Sequence, residues 1–168
     1  MAGLRSCPPP AATTVQRWVL ADPAELRLFR ASLRQTLDAQ SPMSAAELDD
    51  IAERMAIVAT ELATNAMRHA GSPAVIELGR TKTAFVLDVA DDQPLSVPEI
   101  ASDHSPQAGG RGLKITQELA LDTGWYVAGT RKHVWARFTV PRHRRFQAPR
   151  ILVRDLDRLV RLLRRVHH

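Results

Sequence analysis

The stretch Glu61-Leu-Ala-Thr-Asn65-Ala-Met-Arg68-His69-Ala sets a carboxylate and a carboxamide one helical turn apart, so both can serve one site. Around it, from Ala45 to Ala70, Leu48, Ile51, Met55, Val58 and Leu62 recur at alternating steps of three and four, the pattern of a helix packed by one apolar stripe. At about 100° per residue, Glu61, Asn65 and His69 fall within roughly 60° of Val58, inside or bordering that stripe. Three polar side chains are therefore predicted to look inward. Burying a carboxylate and an amide without partners costs several kcal/mol, so something polar must lie between this helix and the layer it covers. A bound ligand answers that need; a helix end whose polar residues hydrogen-bond locally answers it too. Further along, Gly109-Gly110-Arg111-Gly112-Leu113 opens a helical segment. Free backbone amides beside a helix N-terminus favour phosphate, and Arg111 can add charge-assisted bonds.

The elements that must position these residues follow from local signals. Val15 to Leu20 reads as a strand, and Asp22-Pro23 as an N-cap with proline in the first turn. Leu26, Phe29, Leu33 and Leu37 then give a helix face that Ser41-Pro42 ends. Ser44 with Glu47 three residues on is a capping box opening the Glu61 helix, and Gly71-Ser72-Pro73 closes it. Ala74 to Gly79 and Ala84 to Ala90 are a strand pair around an exposed Arg80-Thr-Lys-Thr turn, with Asp91 at the end of the second strand. An Asp there is also an ordinary turn former. Leu95 to Gly110 has no strong period, and a loop of that length in a small domain is functional or disordered. Gly112 to Asp122 reads as helix, and Trp125 to Val127 and Val134 to Val140 as strands around the Gly129 to His133 turn. The class is α+β: helices on one face of a mixed, mostly antiparallel sheet.

The 168 residues fit one domain with an appendage. Three parts are expected: a loose Pro/Ala-rich start over 1–13, a domain over 14–140, and a basic tail over 141–168. The tail holds nine arginines against Asp155 and Asp157, whereas the rest of the chain holds 14 Lys and Arg against 16 Asp and Glu. The basicity belongs to the tail and does not mark the domain as a nucleic-acid binder. Cys7 is the single cysteine, no apolar run approaches a membrane span, and the start lacks a signal core. A reducing, cytoplasmic setting is the default expectation.

Taken in order, three segments resemble the GHKL or Bergerat-fold ATP-binding domains of type II topoisomerases, sensor histidine kinases and MutL. The likeness is greatest to the small anti-sigma-factor serine/threonine kinases and their stand-alone bacterial relatives, over roughly residues 15 to 140. Glu61-x3-Asn65 with Arg68-His69-Ala70 looks like the N box, Val89-Ala90-Asp91 like the first Asp/Gly box, and Gly110-Arg111-Gly112-Leu113 like the second glycine box. Val134-Trp135-Ala136 after Lys132 is similar to the closing strand of that group. The resemblance implies a two-layer ATP-binding sandwich. It implies that Asn65 holds Mg2+ by its carbonyl oxygen, that Glu61 is a general base, that Asp91 accepts from the adenine amino group, and that the Gly110 to Leu113 loop meets phosphate. His69 would line the pocket, Leu95 to Ala108 would form a mobile ATP lid, and Lys132 near the closing turn approaches phosphate or is a solvated hairpin lysine. The glycines expected two and four residues after Asp91 are here Gln93 and Leu95.

Such a protein would bind Mg-ATP and phosphorylate or sequester a protein partner, a sigma factor or an antagonist of an anti-sigma factor; the family likeness also allows a homodimer. The alternative is a non-catalytic partner-binding module with a degenerate nucleotide pocket. In the tail, Leu152, Leu156, Leu159, Leu163 and Val166 alternate steps of four and three among arginines, a basic amphipathic helix after Pro149. Its stripe packs back on the domain, or meets a partner, a membrane surface or DNA.

Overall fold

The computed structural model describes residues 4–40, 43–98 and 111–140, with the side chains of His69, Ala70 and Arg111 outside that description. Five strands form one sheet in the order β1-β2-β3-β5-β4: β1 (Thr13–Leu20), β2 (Ala74–Arg80), β3 (Ala84–Asp91), β4 (Asp122–Ala128) and β5 (Arg131–Thr139). Every pair of these strands is antiparallel and, among the described residues, one parallel bridge joins Ser6 to Trp125, in keeping with the mostly antiparallel sheet expected. Among the described residues three α-helices, α1 (Leu26–Gln40), α2 (Ala45–Ala70) and α3 (Arg111–Leu119), join the sheet in an α+β fold.

Local chemistry sets the helix ends. Asp22 caps a 3-10 turn over Pro23–Glu25 that leads into α1, and its side chain accepts from the Ala24 N–H at 2.7 Å. Ser44 and Glu47 form the expected capping box of α2, and Gly71 ends that helix with a φ of 60°, a left-handed conformation natural to glycine. The α2 stripe of Leu48, Ile51, Met55, Val58 and Leu62 is buried along with Phe29, Leu33 and Leu37 of α1. Facing them across the layer, the sheet offers a row of register partners, Trp18, Ile76, Val89, Val134 and Trp125, backed by Leu78, Leu87, Ala136 and Phe138. The indole of Trp18 packs edge-on against Phe29 with ring centroids 5.1 Å apart and donates to Ser32 Oγ, which pins β1 to α1.

The expected helix from Gly112 to Asp122 is shorter at its C-terminal end. The Leu121 N–H donates to the carbonyl of Arg137 at 2.8 Å, so the chain has already joined the sheet edge, and Asp122 begins β4. β5 likewise begins earlier than expected, at Arg131, which moves Lys132 out of the turn and into the strand.

Residues 4–12, which composition alone leaves loose, are held. Leu4 is buried in the core, Trp125 exchanges backbone hydrogen bonds with Arg5 and Cys7 at 2.9 Å, and the Trp135 indole donates to the Cys7 carbonyl at 2.8 Å. Ala12 then lies over Gly79, where a Cβ on that glycine would come within 2.9 Å of it, and Thr13 starts β1. The segment thus runs from the β4 edge to the β1 edge across the face opposite the helices. Five strands spaced by about 4.8 Å put those edges about 19 Å apart, a span that the six steps from residue 7 to 13 just cover at about 3.3 Å each.

Candidate functional site

Glu61 and Asn65 project from the second half of α2, both half-buried, whereas Arg68 one turn on is exposed. What they meet is the first turn of α3. A Cβ placed on Gly112 would lie 2.7 Å from Glu61 Oε2 and 3.1 Å from both Asn65 Nδ2 and Glu61 Cβ, so only a glycine lets the α3 backbone approach this closely. Leu113 anchors the turn in the core, and the buried Thr116 hydroxyl donates to the Gly112 carbonyl at 2.9 Å. Residues 51 positions apart in the chain are thereby brought into one place: an acid, an amide, and the electropositive start of a helix.

At the end of the sheet, Asp91 and Lys132 are register partners on β3 and β5. Lys132 Nζ lies 3.1 Å from Asp91 Oδ2, and the Gln93 N–H donates to Asp91 Oδ1 at 2.9 Å. Asp91 is 6% exposed and Lys132 7%, which makes them, with Thr116, the buried polar residues among those described. Lys132 is therefore neither solvated nor in a hairpin turn. Both face the helical layer, since Val89 and Val134, two residues before and after them, lie in the core. The Gln93 donor is its main-chain N–H, which any residue but proline would supply at that position.

Gly110 and most of the expected lid, residues 99–110, lie outside the described residues, as do the side chains of His69 and Arg111 and the basic tail over 141–168. Among the described residues no group of three or more His, Cys, Asp or Glu converges to cage a metal. A hard cation near Asn65 would accordingly have one amide oxygen and waters, a donor set magnesium accepts. The place a Gly112 side chain would take is already filled by the ends of Glu61 and Asn65, so what the first turn of α3 can offer phosphate is its main-chain N–H groups. A shallow depression of about 710 Å³ between residues 11–13 and 80–83 lies at the other end of the sheet and gathers no carboxylate, histidine or cysteine. No helix among the described residues is long and apolar enough to cross a membrane.

One polar cluster escaped the sequence. On the outer face, Asp88 Oδ1 lies 2.7 Å from His133 Nδ1 and Asp88 Oδ2 accepts from the Tyr126 hydroxyl at 2.9 Å, with the Tyr126 and His133 rings stacked at 4.6 Å. Burial, and then the Asp88 charge and hydrogen bond, push the Tyr126 hydroxyl well above its ordinary pKa. No spacing signal announces partners 38 and 45 residues apart; they follow from the antiparallel register alone.

Residues 19–138 match the family model described as histidine kinase-like ATPase domain. No curated protein matches the chain.

Proposed function

We propose that this chain, which belongs to the histidine kinase-like ATPase domain family, binds Mg-ATP between α2 and the sheet and works as a regulatory protein of the anti-sigma-factor kinase type. The observation that carries the reading is the contact of Gly112 with Glu61 and Asn65. It sets a helix N-terminus, where phosphate is favoured, against the one acid and the one amide that phosphoryl transfer needs. Bound there, Mg-ATP supplies an electrophilic γ-phosphoryl group and ADP as the leaving group.

Asn65 holds the cation by its amide oxygen. Glu61 takes the proton from a serine or threonine hydroxyl of a partner protein as that oxygen bonds to phosphorus. The main chain at Gly110 to Leu113, with Arg111, receives the phosphates, Arg68 and His69 border the pocket, and Asp91 meets the base. The partner would be a sigma factor or an antagonist of an anti-sigma factor, and the protein would act in the cytoplasm, alone or as a homodimer.

Titration calorimetry with ATP, with and without Mg2+, tests the reading on the wild-type chain and on Asn65→Ala. Binding that needs Mg2+ and is lost in the variant supports it. Absence of binding at millimolar ATP favours a second reading, a partner-binding module without catalysis. That reading draws on the Asp91 carboxylate, both of whose oxygens already have partners within the chain.

A further inference from the structure

Asp91 and Lys132 are the buried charged pair among the described residues, and the proposed function uses only the carboxylate. A carboxylate alone is an acceptor and nothing else. A site floored by it welcomes a base with an amino group and rejects one with an oxo group, because two buried acceptors face each other unpaired. Lys132 changes what the floor offers. Its ammonium carries three N–H donors, and among the described residues its partner is Asp91, through one contact of 3.1 Å. The Gln93 amide holds Asp91 Oδ1 and the ion pair holds Oδ2, so the carboxylate is fixed in place and the lysine with it. Acceptor and donor thus stand side by side, both under a tenth exposed.

Purine edges come in two complementary forms. Adenine presents an amino donor beside a ring-nitrogen acceptor, and guanine an oxo acceptor beside an N–H donor. A fixed acceptor–donor pair matches either form, taken in opposite order. We infer that Lys132 is a specificity-determining residue that admits 6-oxopurines, so that the site takes guanine as well as adenine nucleotides. The inference rests on the proposed nucleotide site.

The test is calorimetric titration of the full chain, in Mg2+, with ATP, GTP and ITP. ITP carries the oxo group without the 2-amino group and so isolates the contact to Lys132. Dissociation constants for the three within about tenfold of one another are expected. Lys132→Met is expected to weaken GTP and ITP at least tenfold more than ATP, and Lys132→Gln, which keeps an N–H donor, to recover most of that loss; thermal melting checks that each variant folds. Wild-type chain that binds ATP but discriminates more than a hundredfold against both GTP and ITP overturns the inference, whatever the variants do, and leaves the ATP site standing. An ATP-to-GTP ratio unchanged in a folded Lys132→Met overturns it as well. Failure of all three nucleotides to bind removes the nucleotide site and the inference together.

Discussion

Gly112 packs on Glu61 so closely that a Cβ in its place would sit 2.7 Å from the carboxylate oxygen and 3.1 Å from the Glu61 Cβ. Alanine gains about 1 kcal/mol of helix propensity over glycine, and the end of a glutamate side chain can swing aside at similar cost. Gly112→Ala should therefore leave stability within about 1 kcal/mol of wild type in urea unfolding while displacing Glu61. ATP affinity measured by calorimetry should fall at least tenfold. A variant that binds ATP as the wild type does would show that this contact is packing alone.

Glu61→Gln keeps the shape of the side chain and removes its basicity. Phosphoryl transfer, or slow ATP hydrolysis in the absence of a partner, should drop by about 10² to 10⁴, with ATP affinity held within threefold. Equal losses in binding and turnover would reassign Glu61 to holding the site together.

Removing one partner of a buried ion pair costs about 3–5 kcal/mol, whereas replacing both by apolar residues is often neutral. Asp91→Leu and Lys132→Met should each show the large loss. The double variant should be more stable than the sum of the two by several kcal/mol, a coupling that a double-mutant cycle in urea measures. Simple additivity would mean that the 3.1 Å contact contributes nothing.

These residues show where the sequence was legible. Ser44 with Glu47, Gly71 and the stripe from Leu48 to Leu62 are local signals, decided within one or two turns, and they placed α2 to the residue. The spacing of Glu61 and Asn65 was readable for the same reason. The approach of Gly112 was not, because it depends on how α3 crosses α2. Lys132 was misplaced because its partner, Asp91, is set by the β3–β5 register, a long-range property that no window of sequence contains. The hold on residues 4–12 was hidden similarly, since proline-rich composition argues for looseness and the tryptophans that secure it lie far along the chain.

Tyr126 gives a pH dependence. Burial first, and then the charge and hydrogen bond of Asp88, raise the folded-state pKa of Tyr126 above the ordinary value near 10, so the neutral hydroxyl's contribution to the fold is full below that value and is lost as pH rises beyond it. Tyr126→Phe should cost about 1 kcal/mol at neutral pH, given the partial burial. The gap between variant and wild type should narrow above about pH 10, read by urea midpoints at fixed temperature. A gap independent of pH would place the Tyr126 effect in packing.

Deleting residues 1–12 should expose Trp135 and free the β4 edge. A red-shifted tryptophan emission and a lowered melting temperature are expected, and Leu4→Ala alone should cost about 2 kcal/mol. Unchanged fluorescence in the truncated chain would show that the segment covers nothing.

The contact between Cys7 and Trp135 spans 128 residues of chain. During synthesis Cys7 leaves the ribosome long before its partner exists, so β1 and the helices can assemble while the segment ahead of them stays undocked. The outer face and the β4 edge are completed together, when β5 arrives. Contacts of such separation slow folding, and they make this seam the part of the molecule where a growing chain stays open longest to chaperones, proteases and other chains.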